Sequence, residues 1–140
     1  MTRWLRGFTA VVAVLAAGTM SLSFDAVAQS GKSRQKQRPP TVSFKEDIFP
    51  ILKGRCLDCH QPGGAGFDAS GLDLRTHAGL MKGTKFGPMV VKGDPDGSSL
   101  MALLDWRVKP EIRMPHGMKK LSTCDRDAIR HWIQEGALDN

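Results

Sequence analysis

At 140 residues the chain has room for one small domain. Its composition, 41% apolar and 24% charged, excludes both a wholly disordered chain and a multi-span membrane protein. The formal charge of +6 hints at an anionic partner, and 3 Cys, an odd number, exclude a closed set of disulfides.

Residues 1–28 read as an export signal. Arg3 and Arg6 give a positive start, an apolar run extends from Phe8 to Ala17, and Ala26-Val27-Ala28 offers the small residues at which signal peptidases cut. Gly18, Thr19, Ser21 and Ser23 dilute the run and weigh against an uncleaved membrane anchor. Arg3 and Arg6 are not a twin-arginine pair, and no Cys lies near the cut to accept lipid. The expectation is export across a bacterial inner membrane as an unfolded chain, leaving a mature protein in the periplasm or beyond.

Residues 29–40 have no large apolar side chain, carry Lys32, Arg34, Lys36 and Arg38, and end in two prolines. Such a stretch cannot bury enough surface to offset ordering entropy and is expected to be a flexible basic linker. Its charge offers at most a weak contact with an anionic surface. Residues 41–140 then hold 14 basic and 13 acidic residues, so the folding part is nearly neutral. No aromatic residue interleaves with the basic ones of the linker, so nucleic acid is not the expected partner.

In the domain, 41–140, Ser43 and Glu46 have capping-box spacing, and Phe44, Ile48, Ile51 and Leu52 follow one helical face. Pro50 should kink that helix or leave short helical turns on either side. The Gly-rich stretch Gln61 to Gly71 reads as loop, Leu80 and Met81 as a short helix ended by Gly83, and Gly87-Pro88 as a turn. Asp94-Pro95 resembles an N-cap with Pro at the first helical position, leading into Leu100, Leu103 and Leu104. Lys109 to Leu121 is loop-like. The last helix opens at Ser122 and Asp125, carries Cys124, Ala128, Ile129, Trp132 and Ile133 as one stripe, and closes at Gly136. No stretch alternates as a strand. The expected class is all-α, with three to four short helices and long loops, which bury little without a large apolar cofactor inside.

Cys56-Leu57-Asp58-Cys59-His60 is C-x-x-C-H, the attachment signature of c-type haem. Two thiols three positions apart suit thioethers to two vinyl groups on one porphyrin edge, and the adjacent His60 is then the proximal iron ligand. Its other ring nitrogen should donate to a carbonyl of the following loop. Three readings compete. A thioredoxin-like dithiol expects a βαβ context, and a zinc site made with Cys124 lacks the second half of a familiar pattern. A Cys56–Cys59 disulfide would close a very short, strained loop.

For the opposite iron face the domain offers Met81, Met89, Met101, Met114 and Met118. Met101 lies in an apolar helical pattern and reads as core. Met114, before Pro115 in a loop, is the favoured ligand, with Met118 its neighbour and His116 the chief rival. His77 and His131 read as surface groups, and Cys124 as a buried small hydrophobe.

These residues resemble the planctomycete-type cytochrome c domains, short monohaem relatives of class I cytochromes c. The likeness runs over most of 43–138: Ile-x-Pro-Ile-Leu before C-x-x-C-H, Gly-Leu-x-Leu at 71–74, Gly-Pro at 87–88 and Gly-Asp-Pro at 93–95. Met-Pro at 114–115 and Trp-Ile-x-x-Gly-Ala at 132–137 complete it. The resemblance implies a small cytochrome c-like fold wrapped around one covalent haem, with Met114 as sixth ligand and the first helix crossing the last near the haem edge. The chain departs from the pattern at His116, where the family usually has a second proline, and at Cys124.

With both axial positions filled the expected function is one-electron transfer rather than catalysis. The alternative is an open or labile sixth site serving a peroxidase or a diatomic-gas sensor. Arg107, Lys109, Arg113, Lys119 and Lys120 against Glu111 place basic residues beside Met114 and suggest a redox partner with an acidic docking surface.

Overall fold

The computed structural model describes residues 41–140; the expected signal, 1–28, and basic linker, 29–40, lie outside the described residues. Ser43 caps the first helix, its hydroxyl accepting the Glu46 N–H at 3.2 Å. The return bond of the capping box comes from Asp47, whose carboxylate accepts the Ser43 N–H at 2.8 Å. Glu46 does not supply it because the opening turn, Phe44–Ile48, is π-helical, with the Ile48 N–H reaching the Ser43 carbonyl. A wider turn moves the reach-back one residue along. The helix becomes α-helical as α1, Phe49–Arg55, just before Pro50. Pro50 thus occupies a first-turn position, where its missing N–H is tolerated, and the chain stays helical to Arg55.

The stretch Gln61 to Gly71, expected as loop, contains a helix, α2, Ala65–Ser70. Its glycines serve as ends: Gly64 is the N-cap and Gly71 the left-handed C-cap at φ 76°. Helix α3, His77–Lys82, is capped by Thr76 and ends at Gly83. Helix α4, Ser99–Leu104, begins later than Asp94-Pro95 suggests, with Ser98 at its N-cap. Asp94 instead closes a turn by accepting the Gly97 N–H at 2.9 Å. Ser98, fully buried, accepts the Val91 N–H at 2.9 Å and donates to the Asp94 carbonyl at 2.7 Å. The loop from Lys109 to Leu121 contains one 3-10 turn, Pro110–Ile112. The last helix, α5, Thr123–Gln134, has the expected Ser122 cap, and Gly136 follows it at φ 106°. Among the described residues the only β-pairings are two isolated bridges, Thr84 with Gly87 and Val91 with Asp94. Among the described residues the fold is all-α and small, with five short α-helices where the sequence pattern suggests three to four.

The core joins every helix except α2. Ile48, Leu52, Leu80, Met101, Ile129, Trp132 and Ile133 are fully buried, and Leu72 and Leu74 enter from the segment after α2. Phe44 packs on Trp132 at 5.5 Å between ring centres, so the first helical turn lies against α5. His77, expected at the surface, is inside this cluster. Its ring meets Phe44 and Trp132 edge-on at 5.0 and 5.9 Å, and Nε2 pairs with the Ala137 carbonyl at 2.9 Å. Cys124, expected to be buried, is exposed, because the stripe of α5 meets the core only from Ala128 onward.

Beyond the apolar core, Asp105 ties α4 to α5. Its carboxylate, 11% exposed, receives Arg126 at 2.6 Å and Arg130 at 2.5 Å. Arg130 also reaches Asp96, which raises the arginine's pKa and lowers that of the carboxyl.

Candidate functional site

The C-x-x-C-H segment is wound on the end of α1. The Cys56 and Leu57 N–H groups both donate to the Leu52 carbonyl, and those of Cys59 and His60 to the Cys56 carbonyl at 3.2 and 3.0 Å. One tight turn therefore carries both thiols and the imidazole. Cys56 is half-buried against the core and Cys59 is exposed; both are free, as is Cys124. Burial pushes the Cys56 thiol up to about 11. A redox dithiol is activated by the opposite shift, so Cys56 is not the low-pKa thiol that a thioredoxin-like reading needs. Among the described residues no three His, Cys, Asp or Glu side chains converge to hold a metal ion, so Cys124 does not complete a zinc site with Cys56, Cys59 and His60.

His60 is gripped by the loop that follows. The Cys59 carbonyl accepts from Phe67 N–H at 2.8 Å, and the His60 carbonyl from Leu74 N–H at 2.9 Å. A side chain at Gly64 would strike the Cys59 carbonyl at 2.5 Å, and one at Gly66 would strike His60 Cε1 at 2.8 Å and Nδ1 at 3.0 Å. These two glycines let α2 lie directly on the backbone and imidazole of the motif. Burial holds the His60 pKa below the ordinary histidine value, so the ring is neutral and offers a lone pair. The Leu72 backbone opposes that shift, but Nδ1 is buried without a hydrogen-bond partner, so the bond expected from this ring to a carbonyl of the following loop is not closed. An unpartnered buried nitrogen is costly. Free thiols on one turn, a neutral imidazole beside them and a glycine cradle behind it fit a haem attached through Cys56 and Cys59, with His60 toward the iron.

The segment carrying Met114 is held to the end of α4. The Met114 N–H donates to the Leu103 carbonyl at 3.3 Å, and the Met114 carbonyl accepts from Trp106 Nε1 at 2.9 Å. Farther along, Arg55 Nη2 donates to the Lys119 carbonyl at 3.2 Å, joining this loop to α1 one residue before Cys56. Met114 is half-buried against the core, whereas Met118 is 50% exposed, His116 is exposed and Met101 is fully buried. His131 is exposed, as expected. Of the five basic residues near Met114, Lys109 and Lys119 are free at the surface. Arg113 and Lys120 lie over the Trp106 ring at 5.2 and 5.7 Å, and Arg107 faces Asp96 and Asp105.

Sequence reasoning missed Gly66, Arg55 and Trp106. The run Gly63-Gly64-x-Gly66 after the motif was a usable signal for a close backbone approach. Nothing local marks Trp106, whose contact with Met114 depends on a left-handed backbone at φ 62°.

A family model described as Planctomycete cytochrome C matches residues 56–116. No curated protein and no solved structure matches the chain. The matched span opens at Cys56 and closes at His116, so it contains both the C-x-x-C-H turn and the Met114 loop. Among the described residues no helix is long and apolar enough to cross a membrane. Over residues 56–116, which include the turn that presents Cys56, Cys59 and His60 together, the chain is similar to planctomycete cytochrome C, a similarity that implies a c-type cytochrome with haem c as its cofactor.

Proposed function

We propose that the protein is an exported one-electron carrier holding a single haem c, with Cys56 and Cys59 as thioether anchors, His60 as proximal iron ligand and Met114 as distal ligand. A haem so ligated supplies one-electron exchange through its edge and has no open iron position for substrate. The observation that carries the reading is the fixed backbone of Met114, bonded on both sides of the residue to the end of α4, with its side chain half-buried. Bonds around a ligand residue orient it for the metal, and among the five methionines of the described residues Met114 alone combines a loop position, partial burial and such a hold. The α2 backbone at Gly66 lies against the His60 ring, and burial lowers the ring's pKa.

Export is inferred from residues 1–28, and it would bring the chain to the compartment where c-type haem is attached. Lys109 and Lys119, exposed beside the Met114 loop, would meet an acidic redox partner. The rival, a peroxidase or gas sensor, needs an open iron and an acid–base group near it; His116 is the sole candidate and it is turned to solvent.

The test is to express the full chain in a host that matures c-type cytochromes, count haem by pyridine haemochrome and expose the reduced protein to carbon monoxide. One haem per chain and no change in the reduced spectrum support the carrier. Rapid formation of a carbonyl complex would move the protein to the sensor class, and absence of covalent haem would overturn the assignment of Cys56 and Cys59.

A further inference from the structure

The end of α4 is built in an unusual way. Helices often close on a left-handed glycine, but here the residue with positive φ, 62°, is Trp106. A bulky residue pays a steric penalty in that region, and such outliers persist where the surroundings over-determine them. The surroundings of Trp106 do so. The Arg107 N–H closes the turn onto the Ala102 carbonyl at 2.9 Å, and the preceding Asp105 is clamped to α5 through Arg126 and Arg130. Lys120 Nζ donates to the Asp105 carbonyl at 2.7 Å, and the side chains of Arg113 and Lys120 lie over the indole. Two cations near one ring would repel each other unless the electron-rich indole faces attracted both. The result is an indole fixed in position, with Nε1–H directed at the Met114 carbonyl, 2.9 Å away.

We propose that Trp106 is a positioning residue for Met114: by holding the Met114 carbonyl from the turn that follows α4 it keeps the sulfur at the iron and keeps outside ligands away. The proposal rests on the reading of Met114 as distal ligand and adds to it the group that enforces it. Lys120 and Arg113 flank the indole from the same loop, so the loop is fastened to Trp106 before, at and after Met114. The distal position then opens only when this whole attachment loosens, and an external ligand binds in proportion to the opened fraction.

The experiment compares imidazole binding to the ferric full-length holoprotein in wild type, Trp106→Phe and Trp132→Phe. Trp132 is the control because its Nε1 makes the same kind of bond, 2.9 Å to the Leu138 carbonyl, in α5. Losing one neutral hydrogen bond on the closed state should raise the apparent imidazole affinity of Trp106→Phe by roughly three- to tenfold. Trp132→Phe should lower thermal stability and leave imidazole affinity within about twofold of wild type. Unchanged affinity in Trp106→Phe, or an equal rise in both variants, overturns the positioning role. A wild type without the near-infrared band of sulfur-to-ferric-iron ligation overturns the Met114 reading on which it rests. Should Trp106→Phe fail to accumulate, hydrogen exchange of wild type decides. Protection of the Trp106 indole N–H, the proton in the bond to the Met114 carbonyl, comparable to the amides of α4 supports the hold, and free exchange there refutes it.

Discussion

Replacing Gly66 by Ala tests the packing of His60 most sharply, because two effects of known size oppose each other. In an open helical position the change stabilises by up to about 1 kcal/mol through helix propensity. At Gly66 the new methyl would sit 2.8 Å from His60 Cε1, 0.6 Å inside the 3.4 Å at which ordinary contact begins. It would also lie 3.0 Å from Nδ1 and 3.0 Å from the Cys59 carbonyl. Two of those obstacles belong to one planar ring and the third is backbone, so the imidazole must tilt or α2 must lift. Overpacking of this kind costs about 1–3 kcal/mol, which outweighs the propensity gain and leaves a net loss of about 1 kcal/mol. For a domain of this size that corresponds to a drop of about 4–8 °C in Tm. Gly54→Ala, in α1 with nothing within 4 Å, is the control and should raise Tm. Thermal unfolding of the holoproteins by far-UV circular dichroism reads both. A Gly66→Ala protein melting at or above wild type would refute the account of how His60 is held.

Three further outcomes follow from other parts of the molecule. Asp105→Ala leaves Arg126 and Arg130 facing each other without their shared acid, and with these side chains only partly buried the loss should be about 2 kcal/mol, read as a lower urea midpoint at unchanged m. The Glu135 carboxylate accepts from Thr41 N–H, Thr41 Oγ1 and Val42 N–H, which holds its pKa below 4.5, its ordinary value. That stabilisation is complete above the unfolded value and is lost as pH falls through the folded one, so the Tm gap between wild type and Glu135→Gln should close in acid below pH 4.5; a gap independent of pH contradicts it. Electron transfer to an acidic partner should slow as ionic strength rises and slow further in a Lys109→Gln, Lys119→Gln double variant, and a rate indifferent to salt argues against the basic rim.

What was legible in the sequence was local. The C-x-x-C-H spacing needs only a helical turn to bring its three side chains together, and the end of α1 provides one. Helix α5 was legible from Ser122 to Gly136 because cap, stripe and stop agree. Glycine misled at α2, where density suggested loop although Gly64 and Gly71 are the helix ends and Gly66 is the contact with His60. Cys124 shares the apolar stripe of α5 but falls in its first turn, beyond the reach of the core. His77 gave no sign of burial, since its partners Phe44, Trp132 and Ala137 are distant in sequence. Trp106 was out of reach for the same reason, compounded by a backbone conformation that its residue type disfavours.

Ligation of the iron by Met114 opposite His60, on which the carrier role depends, is read from the near-infrared absorption of the ferric protein. A weak sulfur-to-iron band is expected in wild type, retained in His116→Ala and Met118→Ala and lost in Met114→Ala. A band that survives Met114→Ala, or that is absent from a wild type carrying covalent haem, would contradict it.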